Sequence, residues 1–195
     1  MERSQAARAA DALTATTFIA LLRGVNVGAA NRLSSEALRQ AFAAAGATDV
    51  QTLLQSGNVV FVAPAGRGAA IAAAARAIIA SDWRIDAPIV WRDAGAWQRL
   101  VGDNPFLAAG VDPDRLHVAC LSASPDPARA ARLDRRRSPP DAFEIVGADV
   151  YLSLPNGVAR SKLTNAWFDA ELGVVSTLRN WRTVTRLAAM IDTRR

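Results

Sequence analysis

Five short segments combine polar side chains with turn-forming residues in patterns that could do chemistry. RGVNVG at 23–28 follows an apolar run and precedes a helical pattern. Gly24 and Gly28 let the backbone turn sharply or approach a ligand, and Arg23 and Asn26 supply donors. Strand, glycine loop, helix is an order that cradles phosphate, although the spacing is neither a dinucleotide fingerprint nor a P-loop. The same loop also reads as a tight turn in which Asn26 bonds backbone. In QSGN at 55–58, a hairpin turn accounts for Gly57 and Asn58 but does not require Gln55 or Ser56. Asn104-Pro105-Phe106 is a turn signal with an aromatic to pack it down. RSKLTN at 160–165 opens a helix expected over 161–172. Ser161, Lys162, Thr164 and Asn165 would then ring its first turn, where free amides, the helix dipole and the ammonium make an anion site. In TLRNWRTVTR at 177–186, Asn180 can cap a last helix with Thr183 near its third position. Arg182 and Arg186 share a face of that helix, and Arg179 stands just ahead of it.

These segments contain Arg, Lys, Asn, Gln, Ser and Thr, and no Asp or Glu. They offer donors for oxyanions and amides for polar edges. They hold no ligand set for a metal, no pair of carboxylates for acid–base work, and nothing that calls for a cofactor. His117 and Cys120 lie three apart on an expected strand and so point to opposite faces, which argues against a nucleophile pair.

The elements that must position these residues follow from periodicity. Residues 17–22 read as a strand, 33–45 as a helix, 50–63 as a hairpin, 68–82 as an alanine-rich helix, 88–91 as a strand and 93–101 as a helix. The order then repeats: strand 115–122, helix 127–136, hairpin 143–154, helix 161–172, a short strand 174–177 and helix 181–191. Each half is β-α-β-β-α-β plus one helix, which predicts an α+β chain of two tandem ferredoxin-like subdomains. The expected layout is a tail at 1–15, a subdomain at 16–104, a linker at 105–113 and a second subdomain at 114–195.

Composition narrows the function. The chain of 195 residues has 23 basic and 18 acidic side chains, and Lys162 is its sole lysine. Arginine in place of lysine, with abundant alanine, reads as base-composition pressure, so most of the positive charge says little about partners. The single cysteine excludes a disulfide framework and a cysteine-based zinc site. The longest apolar stretches fall short of a bilayer span. The expectation is a soluble cytoplasmic protein, without a membrane partner and compatible with a monomer.

The segments FIALLRGVNVG, LQSGNVVF, NPF, YLSLPNGVARSKLTN and TLRNWRTV, in this order, resemble bacterial proteins carrying the domain of unknown function 1697. The resemblance spans about residues 17–191. It implies two ferredoxin-like α+β subdomains, and it brings no established activity. Its motif positions fall here on Arg23, Gly24, Asn26, Gly28, Gln55, Ser56, Gly57, Asn58, Ser161, Lys162, Thr164, Asn165, Arg179, Asn180 and Thr183.

Three functions fit these residues. The first is binding of a phosphate-bearing ligand, a nucleotide or a nucleic acid, in a cleft between the two subdomains. Strand three offers only Phe61 and its counterpart only Tyr151, so the stacking mode of an RNA-recognition motif is rejected. The second is an enzyme acting on a small anionic substrate through Lys162. The third is a structural role, with the motifs welding the subdomains together.

Overall fold

The computed structural model describes residues 15–26, 31–55 and 57–194. The described residues up to Trp97, with those from Met190 on, form one compact unit, and Gln98–Ala189 forms another.

The first unit runs β1 (Ala15–Leu22), α1 (Ser35–Ala44), β2 (Thr48–Leu53), β3 (Asn58–Pro64), α2 (Gly68–Trp83) and β4 (Ile89–Asp93). Its antiparallel sheet has the order β2-β3-β1-β4. Alternation along β1 sends Phe18, Ala20 and Leu22 to the face under the helices, where Val59, Phe61 and Ala63 of β3 join them. Leu38 and Phe42 of α1 and Ile71, Ala75 and Ile79 of α2 close this core from above. Phe61 stacks on Phe18 at 5.4 Å and meets Phe42 at 5.2 Å. Each such buried side chain contributes about 1.5–3 kcal/mol. Ser34 starts α1 by accepting the Ala37 amide at 3.0 Å. Gly68, the first residue of α2, lies so close to the sheet that a Cβ would stand 2.6 Å from the Phe18 ring and 2.9 Å from Trp91.

The second unit runs β5 (Leu116–Leu121), α5 (Pro127–Ala131), β6 (Ala142–Val146), β7 (Asp149–Ser153), α6 (Asn165–Leu172) and β8 (Ser176–Asn180). Its sheet has the order β6-β7-β5-β8, again antiparallel throughout. Ala119 and Leu121, Val150 and Leu152, Phe143, Phe168 and Leu172 fill its core. Arg129 of α5 ties down the end of α6, donating to the Glu171 and Ala170 carbonyls at 2.6 and 2.9 Å. Between the two sets come α3 (Ala94–Gly102) and a one-turn helix α4 (Pro105–Ala108), and α7 (Trp181–Asp192) follows β8. The architecture is therefore two ferredoxin-like α+β subdomains, the first followed by α3 and the one-turn α4 and the second by α7.

Of the expected tail at 1–15, residues 1–14 lie outside the described residues, and Ala15 already opens β1. Three expected elements need correction. The helix expected over 127–136 stops at Ala131, because Asp134 captures the chain: its carboxylate accepts the Arg136 amide at 2.8 Å and its carbonyl the Arg137 amide at 3.2 Å. The helix expected from Ser161 begins at Asn165, because Thr164 caps it through the Trp167 amide at 3.2 Å. Ser161 meanwhile turns the chain locally, accepting the Leu163 amide at 3.0 Å. The last strand is Ser176–Asn180, so Arg179 and Asn180 belong to it.

Candidate functional site

In the first unit the two glycine-containing segments meet at one end of the sheet. The Leu22 amide donates to the Gly57 carbonyl at 2.7 Å, and the Arg23 amide to the Pro88 carbonyl at 2.9 Å. Asn26 is the knot between them. Its Nδ2 donates to the Leu33 carbonyl at 2.8 Å and to the Gln55 carbonyl at 2.6 Å, and its Oδ1 accepts the Leu33 amide at 2.8 Å. Asn26 has φ +56°, a left-handed conformation that asparagine tolerates better than most residues. This side chain is committed to the fold. Asn58 is fully buried and donates to the Leu53 carbonyl at 3.0 Å, closing the β2–β3 turn. Gly57 has φ +72°, and a Cβ there would stand 2.5 Å from Val25. Gly24 is exposed at φ +71° and Arg23 is half-buried. Gly28 and Ser56 lie outside the described residues.

A concavity of about 440 Å³ opens beside this knot, lined by Asn26, Arg32, Leu33, Ser34 and Gln55. Arg32 and Gln55 are exposed, and no carboxylate is among these lining residues. The start of α1 borders it. Ser34 satisfies the Ala37 amide, while the amides of Ser35 and Glu36 precede the helical ladder. Glu36 is turned to its own helix: Gln40 donates to it at 3.0 Å, and Arg39 pairs with it at 2.5 Å. Those hydrogen bonds, Arg39's first, hold its carboxyl below the ordinary glutamate range. Among the described lining residues, Arg32 carries the one guanidinium. A polar sequence such as ANRLSS gives it no motif, and only the return of the chain past Asn26 places it there.

In the second unit the expected anion site at Lys162 takes another form. Lys162 is exposed and stands before α6 rather than in its first turn. Its amide donates to Ser138 Oγ at 3.0 Å. Ser161 and Thr164 are spent on the local turn and the cap. Asn165 accepts from Ser176 Oγ through its carbonyl at 3.3 Å and its side chain at 3.1 Å. Asp169 also accepts from the Ser176 hydroxyl, at 2.7 Å, and from its amide, at 2.8 Å. Thus α6 is sewn to the start of β8.

Arg179, Asn180 and Thr183 sit at the other end of β8, about 13 Å along the strand from Ser176. Asn180 Oδ1 accepts the Thr183 amide at 2.8 Å, and Thr183 is buried. Arg179 donates to Thr177 Oγ1 and to the Leu178 carbonyl, both at 2.8 Å. Burial pulls its pKa down to about 10, so it stays cationic at neutral pH. A concavity of about 280 Å³ beside Asn180 also touches Pro113, Asp114, Trp181 and Arg182. Asp114 gives that rim a carboxylate, which disfavours an anion. His117 of β5 has its pKa lowered, chiefly by burial.

The two units share this wiring. Arg92 donates to the Trp91 carbonyl at 2.8 Å and Asp93 accepts the Ala96 amide at 2.7 Å, as Arg179 and Asn180 do in the second unit. The Leu121 amide bonds the Ala148 carbonyl at 2.9 Å and the Ser122 amide the Val175 carbonyl at 2.8 Å, matching Leu22 with Gly57 and Arg23 with Pro88. The sequence marks Asp93 as a helix cap but gives Arg92 no mark by itself. The aligned order Trp-Arg-Asp and Leu-Arg-Asn, each just before a helix, was the available signal.

Among the described residues no three His, Cys, Asp or Glu side chains gather where they could hold a metal ion. No described helix is long and apolar enough to cross a membrane. A family model described as "Protein of unknown function (DUF1697)" matches residues 15–151. A conserved bacterial protein, SP0830 from Streptococcus pneumoniae, has a similar solved structure. It is 17% identical, with a TM-score of 0.65 over 91% of this chain and 99% of that one. At that identity the likeness concerns the fold. A crystal structure of a putative chlorite dismutase, TA0507, aligns over 89% of this chain and 98% of its own, at 11% identity and a TM-score of only 0.21. No curated protein matches the sequence. The chain belongs to the DUF1697 family.

Proposed function

We propose that this member of the DUF1697 family binds a phosphate-bearing ligand, a nucleotide or a phosphate ester, at the concavity beside Asn26. One observation carries the reading: Arg32, Ser34 and Gln55 line a single polar hollow at the approach to α1, with no carboxylate among its described lining residues. An oxyanion there would gain a charge-assisted bond from the guanidinium, amide donors and the positive end of a ten-residue helix. Asn26 then acts as a positioning residue. It holds the Gln55 turn against the approach to α1 and keeps the hollow open. The ligand class fits a bacterial cytoplasm and a monomeric protein that binds an anion, and the burial of the single cysteine, Cys120, is in keeping with a reducing compartment.

Thermal-shift titration with nucleotides, phosphate esters and inorganic phosphate at low salt tests the proposal. A ligand at a hundred times its Kd should stabilise the fold by about 2.7 kcal/mol. Arg32→Glu should abolish that shift without changing the melting temperature of the free protein. A panel without any response, or an undiminished shift in Arg32→Glu, overturns the reading.

A further inference from the structure

The loop that replaces the expected end of helix α5 brings together groups that are far apart in the sequence. Arg135, Arg136 and Arg137 are all exposed on it. The Arg135 guanidinium lies 4.8 Å from the centre of the Phe143 ring, and that of Arg137 lies 5.7 Å from Trp167. Phe143 and Trp167 meet edge to face at 5.8 Å. The result is a continuous layer of cation, ring, ring and cation, with Trp167 half-buried. Ser138, on the same loop, accepts the Lys162 amide at 3.0 Å, so the sole lysine of the chain is fastened beside this layer.

The nearby carboxylates are spoken for. Asp141 is buried and accepts from Ser138 Oγ at 2.7 Å. Glu144 pairs with Arg135 at 3.0 Å. Asp134 is occupied with the Arg136 amide. Among the described residues no carboxylate pairs with the side chains of Arg136, Arg137, Arg160 or Lys162. These four cations stand on the α5–β6 loop and on the passage before α6. A set spread over two stretches of chain suits a polymer of regularly spaced charges better than one phosphate group.

We propose that this patch binds a single strand of nucleic acid: Arg136, Arg137, Arg160 and Lys162 contact successive phosphates, and the Arg137–Trp167 layer offers a planar face to a base. Single-stranded sites combine a positive track with such faces. No residue of this patch lines the hollow beside Asn26, and the proposal does not depend on that hollow.

Fluorescence anisotropy of a labelled oligo-uridylate 20-mer, titrated with the full chain over a range of KCl concentrations, tests this. Four phosphate contacts at about 0.7 each predict that log K falls with log salt at a slope of about −3. The triple variant Arg136→Glu, Arg137→Glu, Lys162→Glu should weaken binding at least about tenfold while keeping the wild-type melting temperature. If the triple variant does not fold, Arg137→Gln and Lys162→Gln singly should each shallow the slope by about 0.7. A slope near zero, or variants that bind like the wild type, overturns the proposal. So does competition by poly-glutamate equal to that of unlabelled oligonucleotide at matched charge, which would make the patch a surface for acidic polypeptide.

Discussion

The first unit makes a long passage, residues 23–34, between its first strand and first helix, where the second uses only 122–126. The second unit makes its long passage, 154–164, between its third strand and second helix, where the first uses only 65–67. Elsewhere the two follow the same backbone bonds, to within about 0.2 Å at the pairs compared above. The shared wiring is made of backbone and caps, so it tolerates different side chains. Donors gather where one unit has chain to spare beyond that wiring. The hollow beside Asn26 and the arginine–aromatic layer are thus both departures from the repeat, one in each unit.

The sharpest way to break the comparison lies at the equivalent positions Gly57 and Ala148. Gly57→Ala must place a Cβ 2.5 Å from Val25 and 2.9 Å from Leu22 at a φ of +72°. It should cost about 2–4 kcal/mol in denaturant unfolding. Ala148→Gly should cost under about 1 kcal/mol. Equal effects would mean that the units do not differ here as described.

Asn26 has no counterpart in the short passage of the second unit. Asn26→Ala removes three hydrogen bonds and leaves partly buried backbone groups unmet, for an expected loss of about 2–3 kcal/mol. Asn26→Asp keeps only the acceptor, so it should recover little. A variant with unchanged stability and lost ligand binding would turn Asn26 from a positioning residue into a ligand contact.

Where the units agree, their variants should agree. Asp93→Ala and Asn180→Ala each delete one cap and should each cost about 1 kcal/mol. Unequal losses would show that one cap carries a further interaction.

The smallest effect is a difference in pH response. His117 occupies the position that Phe18 holds in the first unit, opposite Asn180 as Phe18 is opposite Asp93. Burial lowers the His117 pKa, so the unfolded chain binds the proton more readily than the folded one. The stability it contributes is fully present above about pH 6.5 and is lost as pH falls through the folded value. His117→Phe should flatten the melting temperature between about pH 5 and 7. An unchanged slope would assign the acid response to another group.

The repeat of strands and helices was legible because glycine, asparagine and serine mark its turns and caps: Gly46, Gly57, Gly147 and Gly173 all have positive φ, and Ser34 caps α1. The ends of α5 and α6 were not. Asp134 and Ser161 each offered the backbone a local bond that competes with the helix, and helical periodicity does not register that choice. The candidate residues were partly legible. Asparagines were singled out as ligands because they are polar and specific, yet Asn26, Asn58, Asn165 and Asn180 spend those bonds on the chain itself. Arg32, Arg136 and Arg137 went unnoticed because an arginine in an arginine-rich sequence carries no mark of its own. Their significance comes from neighbours distant in sequence: Gln55 for the first, Trp167 and Lys162 for the others.

Gly68 carries one further consequence. Its codon is a single base from an alanine codon, in a gene whose residues already lean towards alanine, and it heads the most alanine-rich helix of the chain. Most of the other described glycines have open space where a Cβ would stand, but nearly all of them hold a positive φ that opposes alanine whatever the space. At Gly68 the added methyl would drive two aromatic rings apart. Gly68 has no positive φ, so what excludes alanine there is contact with the two rings rather than the backbone.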